Sequence, residues 1–404
     1  MDAARTFCSF VPPHILERMV QNEDPELAGR ARRTLERDAY ERTHRRLTTV
    51  VGAPSITAPV GAEAGKPHRT LYDARHRTDL PGKKVRAEGS DPGTDATVNR
   101  AYAGLGATFE LFLKAYQRDS IDGAGVPLDA SVHYDENYNN AFWNGEQMVF
   151  GDGDGEIFLD FTIPIDVIGH ELTHGVTQYT ANLTYFGQPG ALNESMSDVF
   201  GSLIKQHTLG QTADEADWLI GAGLLAPRVT GSALRSMKAP GTAYDDDVLG
   251  KDPQPATMDG YVRTGRDNGG VHINSGIPNH AFYIVATTLG GHAWERAGQI
   301  WYDVLTGGQL KKDALFTDFA NLTVKAARER FGDSDELEAV KKAWEQVGVL
   351  RATPISGPMF HGSITGSQIA IGGDVRQSNY YAGHVPPGHT PPGPDVGGDD
   401  DDEW

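Results

Sequence analysis

His170-Glu171-Leu172-Thr173-His174 is the stretch on which the reading of this chain turns. It sits in an apolar run, Ile165-Asp166-Val167-Ile168-Gly169 through Gly175-Val176, whose pattern predicts a helix. Four residues on a helix turn through about 400°, so both imidazoles leave one face and can share a single zinc ion. Glu171, one position after the first histidine, lies beside that metal without being forced to bind it, which suits a base that takes a proton from metal-bound water. A surface helix that carries two histidines would show the same run, so the remainder of the chain separates the two readings.

A zinc hydrolase needs a third protein ligand and an open fourth position. In the extended pattern His-Glu-x-x-His-x-x-Gly-x-x-His, positions 177 and 180 would be Gly and His; they are Thr177 and Thr180, which excludes that form. The other common arrangement supplies a Glu from a second helix, and Asn193-Glu194-Ser195-Met196-Ser197-Asp198 follows at a suitable distance. Glu194 and Asp198 are four apart and share a helical face, while Gly187 and Pro189 are turn residues that let the second helix return beside the first. Glu194 is then the third ligand, and Asp198 accepts a hydrogen bond from the remote nitrogen of a ligand histidine and fixes its tautomer.

These residues at these offsets resemble the thermolysin family of neutral zinc metalloendopeptidases, and further blocks agree in order and spacing. Asn139-Asn140-Ala141-Phe142-Trp143-Asn144-Gly145 resembles the family's edge strand, which lies antiparallel to bound peptide. Gly231-Ser232-Ala233-Leu234-Arg235-Ser236-Met237 resembles the segment whose Arg binds a substrate carbonyl. Asp267-Asn268-Gly269-Gly270-Val271-His272 resembles the segment with a catalytic His oriented by an Asp, and Tyr185 falls where the family has a second oxyanion donor. The resemblance implies an α+β, two-lobed fold with a mostly β N-terminal lobe, a mostly α C-terminal lobe and the zinc helix between them.

It also implies an endopeptidase acting on protein or peptide substrates through one catalytic zinc. His170, His174 and Glu194 would hold the metal, Glu171 would activate its water, and His272 with Tyr185 would stabilise the oxyanion, with Asp267 and Asp198 in support. Arg235, Asn140 and Ala141 would align the substrate backbone. Phe158, Phe161, Val167, Ile220 and Leu234 would line a pocket for a large hydrophobic side chain just after the cut, worth about 1.5 to 3 kcal/mol on burial.

Calcium is where the chain departs from the pattern. Asp166 and Asp217 remain of the family's double site, but the helix Glu position is Lys205, two later acidic positions are Leu219 and Ala222, and another is Ser232. A cation amid fewer carboxylates opposes calcium, so at most one weak site is expected. Gly151-Asp152-Gly153-Asp154-Gly155 lacks an EF-hand's downstream ligands and reads as a hairpin turn.

The N-terminal residues 1–50 contain Phe7-Cys8-Ser9-Phe10-Val11-Pro12-Pro13, a short helix, and an Arg-rich helix starting near Asp24-Pro25-Glu26. This resembles the short propeptide of the protealysin-like subgroup, which implies a self-processing zymogen inhibited by its own propeptide. Cys8 is the only cysteine, so no internal disulfide can form. A buried or exposed thiol of no special role is one reading; the other sets Cys8 near the zinc, held by Pro12-Pro13, as a soft ligand that blocks the water position. The Gly/Pro-rich stretch 51–67 is the expected linker and processing region. Residues 68–185 are expected to form the N-terminal lobe with the zinc helix, and 186–350 the C-terminal lobe. Residues 351–404 should hold a short β appendage and a solvated acidic tail.

A net charge of -19 argues against nucleic acid as a partner. Met1 to Arg46 has neither a signal pattern nor a membrane-length apolar run. With the family's extracellular action, this gives secretion without an ordinary signal peptide as the expectation and a cytoplasmic location as the alternative. No membrane partner and a monomeric state are expected.

Overall fold

Six short strands and two long helices build the lobe that carries the zinc helix. The computed structural model describes residues 8–51 and 63–351. Most of the expected linker, the β appendage and the acidic tail lie outside the described residues.

The sheet comprises β1 (Cys8–Ser9), β2 (Arg69–Arg77), β3 (Lys83–Ala87), β4 (Leu128–Tyr134), β5 (Ala141–Trp143) and β6 (Met148–Phe150), in the order β1-β5-β6-β4-β2-β3. β2, β4 and β6 are parallel neighbours, while β3, β5 and β1 join antiparallel. The centre of this sheet is β4, where the alternating residues Leu128, Ala130, Val132 and Tyr134 are all buried, while Asp129 and His133 between them are only half-buried. Its outer strand β1 comes from the N-terminal segment: Cys8 stands opposite Trp143 and Ser9 opposite Phe142.

That segment continues into α1 (Pro13–Met19) and α2 (Pro25–Val51). Pro13 at the first helical position costs α1 no hydrogen bond, and Ile15, Leu16 and Met19 are fully buried. On α2 the buried residues Leu27, Ala31, Thr34 and Asp38 recur every three or four positions, which defines one docking face. Asp38 accepts hydrogen bonds from Tyr138 Oη and, at 2.9 Å, from Asn140 Nδ2.

α3 (Ala96–Tyr116) begins at Asp95, whose Oδ1 accepts from the Thr97 and Val98 amides, and ends at Gln117 in the left-handed region. It packs on α4 (Ile165–Tyr179), which is buried from Asp166 through Thr177. α5 (Gly187–Leu209) lies against α4 at unusually short range. A methyl added at Gly201 would stand 2.7 Å from the Asp166 carbonyl, and one at Gly169 would stand 2.6 Å from Ile204 Cδ1. These two glycines let the helices touch backbone to backbone, which carries the α4 imidazoles to the α5 carboxylates.

The C-terminal lobe continues with α6 (Asp267–Asn274), α7 (Gly276–Leu289), α8 (Ala297–Thr306), α9 (Phe316–Phe331) and α10 (Asp335–Gln346). Trp301 stacks on Trp344 at 6.0 Å, and Phe319 meets both rings edge-on. The α+β class and the division into a β-rich N-terminal and a helical C-terminal lobe are as the sequence implies. The loop 151–155 turns the chain, but the next segment does not pair back onto β6; Phe158 bridges to Leu225 instead. Among the described residues, no helix is long and apolar enough to cross a membrane.

Candidate active site

The two imidazoles of α4 converge as their spacing requires, with His170 Nε2 and His174 Nε2 3.1 Å apart. Glu194 on α5 presents Oε2 at 3.5 Å from His170 Nε2 and Oε1 at 3.5 Å from His174 Nε2. Ligand atoms about 2.0 to 2.1 Å from a tetrahedral zinc stand roughly 3.3 Å from one another, so this triangle fits that ion. The remote nitrogens are fixed from behind. His170 Nδ1 lies 2.8 Å from Asp198 Oδ1, and His174 Nδ1 lies 2.8 Å from Asn193 Oδ1. Both acceptors are oxygens, so Nδ1 holds the proton and the Nε2 lone pair faces the site. Burial pulls the His174 pKa down to about 3, which keeps the ring neutral, as metal ligation requires. Burial opposes ionisation of Glu194, but nearby His272, His174 and His170 hold its carboxyl below the usual range.

Asp198 is the hub of the buried polar network. Besides His170, it receives Arg235 through Nε at 2.9 Å and Nη2 at 2.9 Å, and Asn279 Nδ2 at 2.8 Å. Burial works against its charge, yet Arg235 and His170 hold the carboxyl well below its ordinary value. Glu171 Oε2 accepts from the Trp143 amide at 3.0 Å, which fixes that carboxylate against β5.

His272 reaches the site through a backbone that most sequences cannot adopt. Asp267, Asn268, Gly269 and Gly270 all have positive φ, from 49° to 84°, before the right-handed turn begins. The left-handed run folds Asp267 back on His272: Oδ2 accepts from the His272 amide at 2.9 Å and Oδ1 faces Nδ1 at 2.6 Å. Burial lowers the His272 pKa, but Glu194 and Asp267 overcome this and push it up to about 9. Tyr185 Oη donates to Glu194 and lies 3.2 Å from His272 Nε2.

Residues 8–11 run through this cleft. Phe10 N–H donates to the Ala141 carbonyl at 3.0 Å, and Val11 N–H donates to Asn140 Oδ1 at 2.8 Å. The Ser9 carbonyl lies 3.0 Å from His272 Nε2, and the Phe10 carbonyl accepts from Arg235 Nη1 at 3.2 Å. The Phe10 ring meets His170 edge-on at 5.2 Å and lies under the Arg235 guanidinium at 4.6 Å. Phe158, Phe161, Val167, Ile220 and Leu234 are buried in the same apolar cluster as Phe10, and a methyl on Gly221 would stand 3.2 Å from its ring. Cys8 is buried, and one ligand atom each from Cys8, His174 and Glu194 lie within 4.8 Å of one another.

Asp166 and Asp217, the two carboxylates kept from the calcium pattern, share the Lys205 ammonium, at 3.3 and 2.8 Å. Sequence reasoning missed Phe10, Ser9, Asn193, Asn279 and Asp38. Only Asn193 carries a local signal, because it precedes Glu194 on the same helix.

A family described as thermolysin metallopeptidase, catalytic domain, matches residues 62–178, and its companion, thermolysin metallopeptidase, alpha-helical domain, matches residues 181–349. An extracellular metalloprotease of Pectobacterium carotovorum subsp. carotovorum is 51% identical over 346 residues, which span 86% of this chain and 97% of that one. Protease PrtS of a Photorhabdus strain is 54% identical over 284 residues, 70% of this chain and 76% of that one. Among solved structures, the precursor of protealysin, a metalloproteinase from Serratia proteamaculans, superimposes with a TM-score of 0.77 at 53% identity, covering 85% of this chain and 100% of that one.

Proposed function

The chain belongs to the thermolysin family of zinc metallopeptidases, and on that premise we propose residue roles for a metalloendopeptidase held in check by its own N-terminal segment. His170, His174 and Glu194 hold the zinc. When bound, zinc supplies a Lewis acid that polarises the scissile carbonyl and activates water near neutral pH. Glu171 takes the proton from the attacking water and passes it to the leaving nitrogen. Protonated His272, aligned by Asp267, donates Nε2–H to the oxygen on which negative charge develops, and the Tyr185 hydroxyl turns from Glu194 to join it. Arg235 and Asn140 grip the chain beyond the cut, and Asp198 keeps both Arg235 and His170 in register.

A single observation carries this reading: the segment Cys8–Val11 already lies antiparallel to β5 as a peptide substrate would, with the Ser9–Phe10 bond between His272 and Arg235. Phe10 fills the place of the side chain that follows the cut, which supports a preference for large hydrophobic residues there. The same geometry supports residues 8–50 as an intramolecular inhibitor, with Cys8 near the metal as a latency element. Lys205 takes the role of a cation between Asp166 and Asp217, so calcium is not needed at that point. We infer that the mature enzyme acts outside the cell, as the name of the Pectobacterium relative states for that protein.

The test is Glu171→Ala. The variant should retain zinc and lose casein cleavage and self-processing by about 100-fold or more, and full activity would overturn the assignment.

A further inference from the structure

We propose that His76, His133 and Asp152 form a second metal site, on the N-terminal lobe, for a divalent transition metal such as zinc. None of these residues belongs to the catalytic cluster. β2, β4 and β6 are parallel neighbours, so their carboxyl ends lie side by side. His76 sits at the end of β2, His133 at the end of β4, and Asp152 just beyond β6. One ligand atom from each lies within 4.8 Å of the others. His133 Nδ1 is 2.9 Å from both Asp152 oxygens, and His76 Nδ1 is 3.5 Å from Asp152 Oδ2. The register of β2 against β4 slips between Asp73 and Arg77, and this irregularity turns His76 toward the other two.

The outer support of such a site is also built. Asp95 spends Oδ1 on the first amides of α3 and presents Oδ2 to His133 Nε2 at 3.0 Å. A carboxylate held by a helix start therefore fixes the ring, with the proton on Nε2 and Nδ1 directed at the shared point. The proton now held between His133 Nδ1 and Asp152 is the one that a metal displaces to solvent. Two imidazoles with one carboxylate suit zinc, copper or nickel and not calcium, which prefers an all-oxygen shell. The His76 side chain is 55% exposed, so an ion can enter and keep water at its fourth position. Bound metal would tie the ends of three strands to the start of α3.

The test uses the zinc-loaded full chain carrying Glu171→Ala, so that it stays intact, titrated with zinc in a calorimeter. A further binding event is expected beyond the catalytic ion. His76→Ala and His133→Ala should each abolish it, and Asp95→Asn, which keeps the helix cap, should weaken it about tenfold. His76 is exposed enough that its replacement leaves folding intact, checked by circular dichroism. Absence of the event in the parent chain, or its survival in either alanine variant, would overturn the proposal.

Discussion

The Phe10 carbonyl accepts a hydrogen bond from Arg235 Nη1 at 3.2 Å across 225 residues of sequence. The guanidinium is itself locked by two contacts of 2.9 Å to Asp198, so it cannot swing away to spare the propeptide. Side chain and main chain of Phe10 thus both occupy the parts of the cleft proposed above to hold substrate.

Replacing Phe10 with Ala removes a fully buried ring from the docked segment, a loss of about 3 to 5 kcal/mol for a core phenylalanine. The zymogen should become active sooner, with a shorter lag in casein hydrolysis. The mature enzyme, from which Phe10 is gone, should keep its kcat/KM. An unchanged lag would sink the role given to Phe10.

For Cys8, the readout is spectroscopic. With cobalt in place of zinc, the zymogen should show a sulfur-to-metal charge-transfer band that Cys8→Ser lacks, since a thiolate is a soft ligand within reach of the His174 and Glu194 donors. Identical spectra in parent and variant would reduce Cys8 to a buried thiol.

Docking of α2 should weaken as pH rises. Burial pushes the Asp38 carboxyl up to about 7 from an ordinary 3.8, and the hydrogen bonds from Tyr138 and Asn140 recover only part of that cost. A group with a raised carboxyl pKa favours the docked state most fully when protonated. The docked form therefore loses stability between pH 3.8 and about 7, by up to roughly tenfold per pH unit, and levels off above. Hydrogen exchange of α2 amides, corrected for intrinsic rate, should be faster at pH 8 than at pH 5, and Asp38→Asn should flatten the trend. Arg42 and Glu41, which also act on Asp38, remain in place in that variant.

Lys205→Ala strands the Asp166 carboxylate, 1% exposed, with only the Gly221 amide at 3.2 Å beside it. Removing one partner of a buried pair costs about 3 kcal/mol, which thermal denaturation would register as a clear drop in Tm. Calcium should raise the parent's Tm little. A large rise at low calcium would show that the site survives beside the lysine.

The zinc helix, Glu194 and Asp198 were legible because each is a local pattern: spacings of four residues encode which side chains share a helical face, whereas the Asp267–His272 pair came only with the family resemblance. The two lobes came with the family resemblance, and α3 begins at Ala96 because Asp95 caps it. Asn279 and Asp38 left no such trace. Asn279 reaches Asp198 from 81 residues away, and Asp38 meets Asn140 from 102, so only the packed chain brings them together. The loop at 151–155 reads as a hairpin because it lacks an EF-hand's downstream ligands, but turn residues specify a change of direction and not a partner, and Phe158 bridges to Leu225.

The pairing of β1 with β5 has a further meaning for the released enzyme. Once the N-terminal segment leaves, the β5 edge loses its outer strand, and the Ala141 carbonyl that held the Phe10 amide becomes open to another extended chain. On the inhibitory role proposed above, the same segment would also protect the chain from association during synthesis. Light scattering should rise faster for catalytically inert mature chains than for the matching zymogen at equal concentration.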